Sequence, residues 1–117
     1  MRIDKLLTEP ECHVEVGGVQ LSPDLYVELT TARRSLRLWF EMDMATEGRA
    51  QLKSRLAAFW RAYNGCDWPV FPKTVWVGVD DERATELRRL VAALPDEQQA
   101  LFAVATRETL STGMSLY

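Results

Sequence analysis

The sequence has very few of the residues from which most enzyme and metal sites are built. It contains one histidine, His13, and two cysteines, Cys12 and Cys66, in 117 residues. Any Ser-His-Asp or Cys-His arrangement must therefore use His13. Its neighbour Cys12 lies on the same alternating stretch, where adjacent side chains point to opposite faces, so the two are not expected to act on one atom. A zinc site would need Cys12 or His13, Cys66 and carboxylates at spacings unlike those of known ligand sets. The six glycines, at 17, 18, 48, 65, 78 and 113, form neither a dinucleotide loop nor a phosphate loop, and no G-x-S-x-G elbow occurs. No cofactor is expected and no catalytic residue is assigned.

Long apolar runs are also missing. None approaches the roughly 20 residues that span a bilayer. The first ten residues, MRIDKLLTEP, carry charges where a signal peptide needs an apolar stretch. The expectation is an unprocessed, cytoplasmic chain whose thiols stay reduced. There is no internal repeat, low-complexity tract or linker, and the length suits a single domain over residues 1–117. Such a domain buries about two thirds of its unfolded surface and needs no staple.

Charge of one sign is scarce overall, since the net charge is only −3, but it is unevenly placed. Residues 1–32 sum to −4, residues 33–61 to +4 and residues 62–117 to −3. The middle segment is thus the candidate for contacting phosphate or an acidic partner.

Apolar residues make up 47% of the chain, and their patterning gives the fold. Residues 2–8 read as one helical turn. Cys12–Val16 alternates, Gly17-Gly18 follows, and Val19–Leu21 continues, which is a two-residue hairpin signal. Leu25–Leu29 and Leu36–Met42 alternate around a polar Ala32–Ser35 loop. That loop pairs Leu29 with Leu38 and Val27 with Phe40, and turns Leu36, Leu38, Phe40 and Met42 inward. Leu52, Leu56, Phe59, Trp60 and Tyr63 then repeat at helical spacing, predicting a helix near 46–63. Thr46 or Asp43 would cap it, and Asn64-Gly65 would end it in a left-handed conformation. Thr74–Val79 is a buried-strand run. Asp80-Asp81-Glu82 opens a second helix with Ala84, Leu87, Leu90, Val91 and Leu94 on its apolar face. Pro95 starts a third helix carrying Leu101, Phe102, Val104 and Ala105 to near Thr109. Ser111-Thr112-Gly113 reads as frayed, with Met114, Leu116 and Tyr117 docking back. The expected class is α+β, in the order β-β-β-β-α-β-α-α, with an antiparallel or mixed sheet of four to five strands at the N-terminal side and three helices.

Three surfaces are candidates for function. On the face opposite the inward set, Tyr26, Arg37, Trp39 and Glu41 form a stripe rich in the residue types of interface anchors, and Trp68 and Phe71 project from a proline-bounded loop. These six residues are the expected protein-binding site; the plainer reading makes the same aromatics ordinary core. Asp80 and Asp81, joined by Glu41 or Asp43 if two strand ends meet, could hold a hard cation for phosphoryl transfer or nuclease chemistry. The plainer reading makes them an acidic helix start. Arg33, Arg34 and Arg37 at a hairpin tip, with Arg49, Lys53, Arg55 and Arg61, could meet nucleic-acid phosphates, but Lys53 and Arg55 fall on opposite flanks of their helix. The resulting expectation is a small non-catalytic protein that docks on another protein, of the inhibitor, immunity or phage anti-defence type. A homodimer through a sheet edge or the Trp39 face is the other partner considered.

Overall fold

In the computed structural model the described residues are 1–111. The expected docking of Met114, Leu116 and Tyr117 and the fraying at Thr112-Gly113 lie outside them. The fold is α+β. Strands β1 (Arg2–Thr8), β4 (Leu25–Thr30), β5 (Ser35–Asp43), β6 (Lys73–Gly78) and β7 (Phe102–Thr106) form one mixed sheet in the order β1-β4-β5-β6-β7. Strands β2 (Val14–Val16) and β3 (Val19–Leu21) form a separate hairpin. The first three strands of the main sheet pair antiparallel, and β5, β6 and β7 run parallel. Parallel neighbours need crossovers. Helix α1 (Arg49–Asn64) makes the first, and α2 (Asp81–Ala92) with the single turn α3 (Asp96–Gln99) makes the second. A short α4 (Arg107–Ser111) follows β7. No helix among the described residues is long and apolar enough to cross a membrane.

Two stretches expected to be helical are strands. Residues 2–8 pair along β4 with a bulge between Ile3 and Lys5, because a seven-residue helix is costly to nucleate while β4 offers a full ladder. The third helix stops at Gln99, and Phe102–Thr106 joins β6 as β7. Its alternation of Phe102, Val104 and Thr106 with Ala103 and Ala105 fits a pleated strand buried against helices on one side.

The β4–β5 hairpin forms with a register shifted by one pair of residues. The loop is Thr31–Arg34, closed by the Thr31 N–H donating to the Arg34 carbonyl at 2.8 Å, while the Thr31 hydroxyl accepts from Arg33 and Arg34. Leu29 therefore faces Leu36 and Val27 faces Leu38. An even shift leaves every side chain on its expected face.

What changes is which face holds the main core. Trp39, expected outside, packs with Trp76 and Phe102 beneath Leu52, Leu56 and Phe59 of α1 and Leu87 and Leu90 of α2. The set expected inside splits. Leu38 is buried with Val75, Val77 and Ala105 in a second cluster on the other face, Leu36 and Phe40 are half-buried, and Met42 is 38% exposed. Both faces are covered where the sheet is parallel, as parallel sheets require.

Helix α1 starts at Arg49, after an N-cap Gly48 whose N–H donates to the Gln51 side chain, rather than at Thr46 or Asp43. It buries Leu52, Leu56, Phe59 and Ala62, and leaves Tyr63 exposed. Gly65 ends it with φ −92°, outside the left-handed region. Glycine is needed there for a different reason: its backbone lies against Gly17 in the β2–β3 turn, where no Cβ fits. This contact docks the hairpin onto α1.

Candidate functional site

The two crossover helices leave part of their own sheet face open. Across β1, β4 and β5 the register sets out two rows of side chains on that face. One row is Leu7, Tyr26 and Trp39; the next is Lys5, Glu28 and Arg37. The segment that leaves β1 walls one side with Cys12, His13 and Val14. The loop between α1 and β6 walls the other with Trp68, Val70 and Pro72. The enclosed groove holds about 260 Å³.

Aromatic packing builds its floor. Trp39 is only 2% exposed, wedged against Phe71 (ring centroids 5.2 Å, edge-on), Phe59 (5.8 Å) and Trp68 (6.3 Å). Trp68 is 40% exposed and forms the rim. The loop that carries it is fixed by Pro69 and Pro72, and by the Trp68 N–H donating to Cys66 Sγ at 3.2 Å. The Tyr26 hydroxyl donates to Glu28 Oε2 at 2.6 Å. Burial, reinforced by that bond, holds the phenol protonated well above its usual range. His13 Nε2 lies 3.3 Å from Glu9 Oε1.

Four of the six residues expected to bind protein thus meet in one groove: Tyr26, Arg37, Trp39 and Trp68. Two do not. Phe71 packs behind Trp39 as support. Glu41 is 1% exposed beneath α1, where Arg55 pairs with it and with Glu47. The guanidinium of Arg55 also lies 4.8 Å from the Trp76 ring centroid. The exposed Arg37–Trp39–Glu41 stripe therefore does not exist: only Arg37 faces solvent, Trp39 is sealed by Phe59 and the Trp68–Phe71 loop, and Glu41 lies beneath α1. Lys5 and Leu7 were missed as lining residues. Both were hidden by reading β1 as a helical turn, although their i, i+2 spacing is that of one strand face.

The second and third candidates also have definite positions. Because β5 and β6 run parallel, their C-terminal ends meet as the cation reading requires, with Asp43 opposite Gly78. Two of the carboxylates there already have partners. Asp43 is gripped by Arg83. Asp80 accepts from the Arg83 N–H at 2.8 Å as the N-cap of α2, and Asp81 lies in its first turn. No three His, Cys, Asp or Glu side chains among the described residues gather to hold a metal. Arg33 and Arg34 lie in the β4–β5 turn, and Arg37 lies in the groove.

Comparison with known proteins adds no analogy: no family model, curated protein or solved structure matches the chain.

Proposed function

We propose that this chain is a docking protein that holds a side chain of another protein in the groove between Tyr26 and the Trp68 rim. One observation carries the reading. Tyr26, Arg37, Trp39 and Trp68, residues of the types enriched in interface anchors, line a single open concavity on a rigid sheet. Its volume lies below the roughly 300–1,000 Å³ of pockets that enclose a small molecule, so it suits one anchoring side chain. The two prolines that follow Trp68, Pro69 and Pro72, lower the ordering cost of closing on it. Of the carboxylates that an enzyme reading would use, Glu41 and Asp43 are already held by Arg55 and Arg83 and Asp80 caps α2, which favours docking over chemistry. Both cysteines are free thiols, which suits the cytoplasm.

The test compares proteins recovered from native lysate by wild-type and Trp68→Ala baits, each checked for a native circular dichroism spectrum. A protein held by the first bait and lost from the second is expected. Equal recovery by a folded variant removes the groove as the docking site.

A further inference from the structure

Resting on that docking reading, we infer that the groove takes an extended acidic peptide segment, with an apolar side chain against Leu7, Tyr26 and the Trp68 rim and a carboxylate two residues away held by Lys5 and Arg37. The two rows of the floor differ in chemistry. Leu7, Tyr26 and Trp39 are apolar or aromatic, whereas Lys5, Glu28 and Arg37 are charged. Rows of one sheet face are two residues apart, roughly 7 Å along the strand. Side chains at i and i+2 of an extended peptide repeat at the same spacing, so a strand-like segment places its anchor and its acid on the two rows together.

The charged row carries an excess of positive charge. Its one carboxylate, Glu28, lies between two cations and accepts from Tyr26. Lys5 and Arg37 are exposed, and neither belongs to an ion pair among the described residues. A carboxylate arriving there gains charge-assisted hydrogen bonds from both. A phosphate backbone, which carries a charge at every nucleotide, is a poorer match than one carboxylate, because Glu11 and Glu28 line the groove beside the two cations.

Phage display of random dodecapeptides on the immobilised protein tests this, with the charge reversal Lys5→Glu/Arg37→Glu and the rim variant Trp68→Ala run beside it. Val70→Ser replaces Trp68→Ala should the latter fail to fold. The expected pool is enriched in an apolar residue two positions from Asp or Glu. The charge reversal should weaken a selected peptide by at least about tenfold. A pool lost on the rim variant but indifferent to acidic residues and to charge reversal overturns the acidic occupant and leaves docking intact. No enrichment, or one unchanged by the rim variant, overturns both. Competition by single-stranded oligothymidylate that depends on Arg37 overturns the peptide in favour of nucleic acid.

Discussion

Arg83 in the first turn of α2 grips both carboxylate oxygens of Asp43, forty residues earlier at the end of β5. The same guanidinium donates to the Glu47 carbonyl at 2.8 Å, tying the loop before α1 into the contact. Hydrogen bonding to Asp43 holds the Arg83 charge even more firmly than usual. Asp43 is buried, so removing its partner strands a charge away from water. Arg83→Ala is expected to cost about 3–5 kcal/mol, read from urea denaturation. Asp43→Asn/Arg83→Met, which removes both charges, should recover much of that loss. A double variant no better than the single one shows that the pair is not what holds these elements together.

Trp39 and Trp68 touch in the groove but should respond unequally to truncation. Trp39→Ala opens a cavity among Phe59, Phe71 and Trp68, and should cost about 3–5 kcal/mol. Trp68→Ala removes a ring that is already partly in water, and should cost about 1–2 kcal/mol, most of its burial being lost on one side only. Thermal unfolding of both variants checks the order. Equal losses make the rim part of the core and leave no tolerant surface at the groove.

These two contacts also show what was legible from sequence. The β2–β3 hairpin, the Asp80 cap and the face parity of β4 and β5 are local, and could be read from turn chemistry and alternation. The choice of core face is not local. On β5 the apolar set Leu36, Leu38, Phe40 and Met42 competes with Arg37, Trp39, Glu41 and Asp43, and polarity alone favours the first set inside. Two arginines from other elements reverse the outcome: Arg55 and Arg83 neutralise Glu41 and Asp43 and admit that face beneath the helices. Strands β1 and β7 were hidden for a related reason, since each is a short segment defined by the neighbour it pairs with.

The hairpin docks onto α1 through Val16 and Leu21 and through a close backbone contact. A Cβ on Gly17 would lie 2.7 Å from the Gly65 Cα, and Gly17 also has φ +57°. Gly18, at φ +79°, meets nothing within 4 Å. Gly18→Ala should therefore cost only the left-handed penalty, about 1–2 kcal/mol. Gly17→Ala adds overpacking of about 1–3 kcal/mol. Denaturation midpoints test the difference, and a Gly17→Ala variant no less stable than Gly18→Ala shows that the hairpin can lift away from α1 freely.

The two thiols should differ in reactivity. Cys12 is buried and donates to the Pro23 carbonyl at 3.1 Å, and burial pushes its thiol above the usual range. Cys66 is half-buried in the loop before Trp68. Thiolate is the reactive form, so iodoacetamide should label native protein at Cys66 well before Cys12, with both labelled in denaturant. Peptide mass mapping reads the order. Prompt native labelling of Cys12 means that the wall of the groove opens.

Asp24 gives the chain a pH dependence of unusual sign for a carboxylate. It stands at the start of β4, and its Oδ2 accepts from the Met42 N–H at 2.6 Å. Burial raises its pKa most; the Met42 N–H opposes this, Glu9 adds to it, and Arg55 opposes it, leaving the group above the ordinary Asp range. The folded chain therefore keeps this proton at pH values where the unfolded chain, titrating near about 3.9, has released it. Stability contributed by Asp24 is full below that value and falls as pH rises towards the folded pKa. Asn cannot ionise and retains an oxygen for Met42. Urea denaturation of wild type and Asp24→Asn across acid to neutral pH should show the variant gaining on the wild type as pH rises from about 4 and holding a constant margin thereafter. Other carboxylates titrate in both proteins, so their difference isolates this one. Curves that stay parallel throughout would mean that Asp24 ionises as freely folded as unfolded, and that its contacts to Glu9 and Met42 do not bias its proton.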